Sequence, residues 1–184
     1  ALLHARRLLH RDVSPRNVRR TSDRRCKLLD FGAMMPFGVP ANVTGTAPCL
    51  PPEALQGGPL DQRSDLYALG ALAYCLLTGR HGYAVSEFDE LPVAWKQAVV
   101  PPRRRVRDIP DRLDELVMSL MSLDPMKRPS SAAEVIDWLS AIGELAPDDG
   151  AAIARSFLTT SHIWGRDAER LDLSKRLSKT LTGQ

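Results

Sequence analysis

The spacing of apolar positions changes character several times along the chain. Residues 1–9 carry leucines at helical spacing, so the end of a helix is predicted there. Residues 17–20 and 26–29 read as two short strands joined by a Thr21-Ser22-Asp23 turn, a small hairpin. From 32 to 52, glycines and prolines exclude long regular elements, and a loop of about twenty residues inside a compact domain is usually functional. Helical patterns follow at 52–56, 62–77 and, more weakly, 93–99. At 113–123, Leu113, Leu116, Val117, Leu120 and Leu123 fall on one face, and a last helix is predicted over 131–142, after Arg128-Pro129. The expected fold is mainly α with a small β-hairpin.

Composition fits one buried core. The chain has 184 residues, 43% hydrophobic and 26% charged, values typical of a soluble globular domain. The most apolar stretch, 66–78, is closed by Asp65 and Arg80 and falls short of the roughly 20 residues a membrane span needs, so a buried helix is expected. A net charge of +3, with Arg24-Arg25 and Arg103–Arg105 too short and too poor in aromatics for a nucleic-acid surface, predicts solvated arginines and no nucleic-acid partner. Cys26, Cys49 and Cys75 are widely spaced and odd in number, which argues against disulfides or zinc and for a reducing cytoplasm. Pro147-Asp148-Asp149-Gly150 marks a composition break. We expect a folded domain over 1–145, a linker over 146–164 and a further element over 165–184.

The chemistry concentrates in two motifs. His10-Arg11-Asp12 is followed by Asn17, an HRDxxxxN pattern, and thirteen residues after Asn17 comes Asp30-Phe31-Gly32. With Pro52-Glu53, Asp65 and Arg128 downstream, the sequence resembles the protein kinase family, specifically its C-terminal lobe. The resemblance implies transfer of a phosphoryl group from ATP to a protein hydroxyl. Asp12 would be the catalytic carboxylate, and Asn17 and Asp30 the oxygen ligands of Mg²⁺, with Mn²⁺ as an alternative. Within the motifs, His10, Phe31 and Gly32 would be structural. Thr46, in Gly45-Thr46, resembles the threonine that contacts the catalytic aspartate and favours serine/threonine over tyrosine specificity. Arg11 would pair with a phosphorylated activation-loop residue, for which Thr44 is the candidate. Glu53 and Arg128 would form a buried ion pair, and Asp65 would anchor the backbone of the catalytic loop.

The sequence departs from the family at three places. Ser14 stands where serine/threonine kinases usually carry a lysine that steadies the transferring phosphate, and Cys49 occupies a commonly aromatic position in the substrate-facing loop, where it is expected to alter peptide selection. The glycine-rich loop, strand lysine and partner glutamate of the family are not in these residues, and the first residue is Ala, not Met. We therefore expect an N-terminal lobe in a longer parent chain and an inactive fragment when isolated. The alternative is a non-catalytic scaffold that binds a protein partner. Gly165-Arg166, with Glu169 and Leu171, resembles the opening of an AAA-like ATPase domain, with a plain amphipathic helix as the alternative.

Overall fold

The computed structural model describes residues 1–144 apart from Arg24. The chain divides into Ala1–Pro147 and Asp148–Gln184. The expected linker and the ATPase-like element at 165–184 lie outside the described residues.

The first unit is organised around one helix. α3 (Gln62–Thr78) begins where the Asp61 carboxylate accepts the Arg63 N–H at 2.8 Å, and ends at Gly79 in the left-handed conformation, φ 70°. Leu66, Tyr67, Ala68, Ala71, Leu72 and Tyr74 are all buried, so the helix is apolar on most sides, as a helix inside a core must be. α6 (Asp111–Leu120) lies against it. Leu66 packs with Leu116, Leu120 and Val135, the last from α7 (Ala132–Gly143), while Tyr74 packs with Tyr83, Val117 and Met121. The two helices meet at Gly70, where a Cβ would stand 2.6 Å from the Leu120 Cβ and 3.2 Å from its carbonyl carbon. Only glycine admits that approach.

Four short strands form two separate pairs. β1 (Leu8–Leu9) pairs antiparallel with β4 (Met35–Pro36), and β2 (Val18–Arg20) with β3 (Cys26–Leu28) in the register Val18↔Leu28, Arg20↔Cys26. The predicted hairpin is present. The structure departs from the pattern reading where elements are too short to have a period. α1 is confined to Leu2–Ala5, and the chain then extends into β1. β4 and a 3-10 turn at Ala47–Cys49 interrupt the predicted loop. The helix expected at 93–99 is the single turn α4 (Leu91–Ala94), preceded by a 3-10 turn at Phe88–Glu90. α2 spans Pro52–Leu55, and α5 (Pro102–Arg105) forms where the arginines had suggested only a solvated patch. Proline at the first position of α5 removes an N–H that would have no partner, and Asp114 accepts the Arg103 N–H at 2.8 Å. No helix among the described residues is long and apolar enough to cross a membrane.

Candidate active site

The loop between β1 and β2 holds His10, Asp12 and Asn17, and it is fixed from below by α3. Asp65, buried in the first turn of α3, accepts the His10 N–H on Oδ2 and the Arg11 N–H on Oδ1, both at 2.9 Å, while His4 Nε2 meets Oδ2 at 2.9 Å. These bonds hold Arg11 at φ 68°, a conformation that costs a non-glycine residue on the order of 1 kcal/mol or more. Asp65 thus binds two successive backbone N–H groups of the loop that holds Asp12. Asp65→Asn keeps one carbonyl oxygen and turns an N–H₂ toward the second backbone donor. We expect it to cost about 1–3 kcal/mol, read as a lower urea midpoint at unchanged slope; an unchanged midpoint would remove Asp65 from this role.

His10 is buried and ties the loop to the second motif. Its Nε2 lies 3.1 Å from the Leu29 carbonyl, Nδ1 lies 3.3 Å from the Asp12 N–H, and its ring meets Phe31 edge-on at 5.1 Å. The neutral form with its proton on Nε2 satisfies both contacts. The Leu29 N–H donates to the Asn17 carbonyl at 2.8 Å, extending the hairpin by one pair and bringing Asn17 and Asp30 to the same end of it. Asp30 is held at φ 60°, and its Oδ1 accepts the Gly32 N–H at 3.2 Å.

Asp12 is gripped on both oxygens. Thr46 Oγ1 donates to Oδ1 and Asn17 Nδ2 donates to Oδ2, each at 2.7 Å, and the same Asn17 nitrogen donates to the Asp12 carbonyl at 2.9 Å. Two acceptors facing one amide nitrogen assign its orientation and leave the Asn17 side-chain oxygen directed elsewhere. Gly45 makes room for this contact. At φ 134°, its Cβ would stand 2.9 Å from the Arg11 carbonyl oxygen. Arg16 was not singled out from the sequence. Its Nη2 donates to Thr46 Oγ1 at 3.0 Å, and it lines, with Thr46, Pro48, Glu87 and Phe88, a cleft of about 350 Å³. The one available signal was a cation directly before Asn17.

Glu53 and Arg128 meet as a two-toothed pair, Nη1 to Oε1 at 2.6 Å and Nη2 to Oε2 at 3.0 Å, in α2 and before α7. Thr44 is half-buried in the loop whose Asn42 carbonyl accepts from the Arg11 guanidinium. Burial lowers the Arg11 pKa, and the Asp65 charge partly restores it.

Cys49 is buried in the core. It is 3% exposed and packs with Val13, Ala68, Ala71 and Leu72, because the turn at Ala47–Cys49 directs it into the core. Burial, followed by the nearby Asp12 charge, pushes its thiol up to about 12. At pH 8 the thiolate fraction is then on the order of one in 10⁴. We expect an alkylating reagent to label the exposed Cys26 in the native chain and Cys49 only after denaturation, as read by peptide mass mapping; native labelling of Cys49 at the rate of Cys26 would contradict its burial.

Comparison with known proteins places this geometry in a family. The protein kinase domain matches residues 1–138. The serine/threonine-protein kinase PknB of Mycolicibacterium smegmatis is 31% identical over 179 residues, which are 91% of this chain and 28% of that one. PknL of Mycobacterium tuberculosis H37Rv is 35% identical over 151 residues, 78% of this chain and 38% of the relative. The chain thus spans well under half the length of these relatives. Among solved structures, the Cydia pomonella granulovirus kinase PK-1 shares the fold with a TM-score of 0.64 at 21% identity, over 73% of this chain and 51% of that one. The Asp12 loop, anchored through α3, and the Asp30-Phe31-Gly32 turn, tied to it through His10, lie within the matched residues, and these matches show that the chain belongs to the protein kinase family, on its serine/threonine side.

Proposed function

We propose that the protein to which this chain belongs transfers the γ-phosphoryl group of ATP to a serine or threonine hydroxyl of a protein substrate, and that Asp12, Asn17, Asp30 and Thr46 carry the reaction on this lobe. The observation that carries this reading is the fixed Asp12 carboxylate. Its two bonds from Thr46 and Asn17 occupy two of about four acceptor positions, leaving capacity for the substrate hydroxyl. In the step, the hydroxyl oxygen forms a bond to the γ-phosphorus, the bond from that phosphorus to the β,γ-bridging oxygen breaks, ADP leaves, and the hydroxyl proton passes to Asp12.

The donor set at the end of the hairpin suits magnesium. The Asn17 amide oxygen and the Asp30 carboxylate are hard oxygen donors of the kind this ion takes. Asn17 and Asp30 would hold the ion, which when bound neutralises charge on the triphosphate. Asn17 then has two duties, with its nitrogen orienting Asp12 and its oxygen left for the metal.

Leu29, Phe31 and Met34 are exposed beside this site, Phe31 by 47%. Three large apolar side chains in one short segment are the edge against which we place the adenine-holding N-terminal lobe of the parent chain. On the same reading, phosphate on Thr44 recruits the Arg11 guanidinium from the Asn42 carbonyl and orders the loop. The test is transfer of labelled γ-phosphate from Mg-ATP to a basic protein by the full-length protein, followed by phosphoamino-acid analysis. Phosphoserine and phosphothreonine are expected; no transfer, or transfer unaffected by Asp12→Asn, would overturn the proposal.

A further inference from the structure

The arginines of α5 differ in what holds them. Arg103 is paired with the Asp111 carboxylate, whereas Arg105 meets no carboxylate among the described residues. Arg105 Nε donates to the Tyr74 hydroxyl at 2.8 Å, and that hydroxyl donates to the Val100 carbonyl at 2.8 Å. Tyr74 is itself fully buried in α3. A phenol that gives its one proton to a carbonyl and accepts from a guanidinium has both of its roles filled and its direction fixed. The Arg105 head is thereby held at one edge, while its two terminal nitrogens bond to no described residue.

Arg105 lines a pocket of about 600 Å³ whose other walls are largely apolar, among them Val85, Val93, Ala94 and Val100. Val93 and Val100 are 63% and 41% exposed. The other charge on this lining among the described residues is Glu90, and its Oε2 already accepts the Ser86 and Glu87 N–H groups. A fixed fork of unused donors beside aliphatic walls suits a carboxylate carried next to an aliphatic side chain. The pocket also shares a wall with the acceptor cleft. Val85 and Glu90 line the pocket, and Ser86, Glu87 and Phe88, between them in sequence, line the cleft that holds Thr46. A polypeptide lying in the cleft and continuing across this turn enters the Arg105 pocket.

We propose that this pocket is a docking site for the acceptor protein, which it holds through an aspartate or glutamate carboxylate on the Arg105 guanidinium and a neighbouring aliphatic side chain on Val93 and Val100. This rests on the phosphotransferase reading above, which says what occupies the cleft. The site takes no part in the chemistry. It raises the effective concentration of the acceptor hydroxyl at Asp12, so it acts on KM for the acceptor and not on kcat.

The test uses the full-length protein without nucleotide and a fluorescein-labelled peptide, blocked at both ends and centred on leucine-glutamate-leucine, with a twin that has glutamine for the glutamate. Fluorescence polarisation should show the glutamate peptide binding roughly tenfold more tightly, as one charge-assisted bond provides, and Arg105→Gln should erase the difference. Val93→Asp sets a like charge beside the incoming carboxylate at an exposed position. It should weaken the glutamate peptide at least about fivefold and melt within a degree or two of the wild type. Equal binding of the two peptides, or a difference that survives Arg105→Gln, would overturn this inference alone. Joined to a basic threonine-containing acceptor peptide through Gly/Ser spacers of about five to fifteen residues, the glutamate motif should lower KM by roughly tenfold at unchanged kcat. Failure of every spacer to lower KM, in an enzyme that phosphorylates the acceptor, would also overturn it. A protein that transfers no phosphate under conditions in which a control kinase works would overturn the phosphotransferase reading, and the acceptor's place in this pocket with it.

Discussion

Asp12→Asn in the full-length protein is expected to lower the rate of phosphoryl transfer by roughly 10²–10⁴-fold, the range that general-base catalysis spans, while KM for ATP stays within a few-fold. The substitution changes one atom and keeps the size of the side chain. Asn17 Nδ2, at 2.7 Å from Oδ2, still finds a carbonyl oxygen if the new amide turns that oxygen toward it. The new N–H₂ then points at Thr46 Oγ1, a hydroxyl that accepts as readily as it donates. The loop is also held from Asp65 through backbone N–H groups that the substitution leaves alone. Folding should therefore survive, with the thermal midpoint within a few degrees, and the loss should fall on kcat. A neutral amide has no useful affinity for the hydroxyl proton and adds no negative charge beside the acceptor. A variant that kept its kcat within about threefold of the wild type would remove Asp12 from the reaction and with it the proposed function.

How much of this was legible in the sequence depends on how local each relation is. Asp12, Asn17 and Asp30 could be read because one loop and one hairpin hold them, and the spacing of a hairpin is written in consecutive residues. Thr46, Asp65, Glu53 and Arg128 act across separations of 34 to 75 residues, which no periodicity encodes. They became readable only through resemblance to a family. Arg16 escaped because its contact is with a hydroxyl 30 positions away. The burial of Cys49 was not legible either, since three residues of 3-10 turn within a long loop are enough to rotate a side chain into the core. The long helices at 62–78 and 111–120 were the easiest elements, since several turns repeat the same apolar face, whereas β1, β4, α4 and α5 are too short to repeat anything.

Arg128→Met should cost about 3–5 kcal/mol, a large part of the roughly 5–15 kcal/mol that separates a folded domain from its unfolded chain. The Arg128 side chain has no exposed surface, and that of Glu53 is 14% exposed. Four of its five N–H donors are used: Nε on the Ser122 carbonyl at 2.8 Å, Nη1 on the Arg63 carbonyl at 2.9 Å, and Nη1 and Nη2 on Glu53, with the guanidinium 4.9 Å from the centre of the Tyr67 ring. Glu53 also accepts from Ser64 Oγ at 2.9 Å. The pair thus joins α2, the start of α3 and the segment before α7. Burying both charges is itself expensive, so the pair as a whole is not the source of the loss. The loss arises because methionine fills the space while leaving a carboxylate without its cation and the Ser122 carbonyl without the Arg128 donor. The double variant Arg128→Met with Glu53→Met separates the two effects, since it removes the stranded charge as well, and it should be more stable than Arg128→Met alone. Urea unfolding reads both through the midpoint at constant slope. A single variant costing under about 1 kcal/mol would mean that water already reaches Glu53 and that the bond behaves as a surface ion pair. A cost in the expected range makes this contact the clamp at the far end of the segment that begins at Asp30, with Asp65 and His10 holding the near end, so that Thr46 reaches Asp12 between two fixed points.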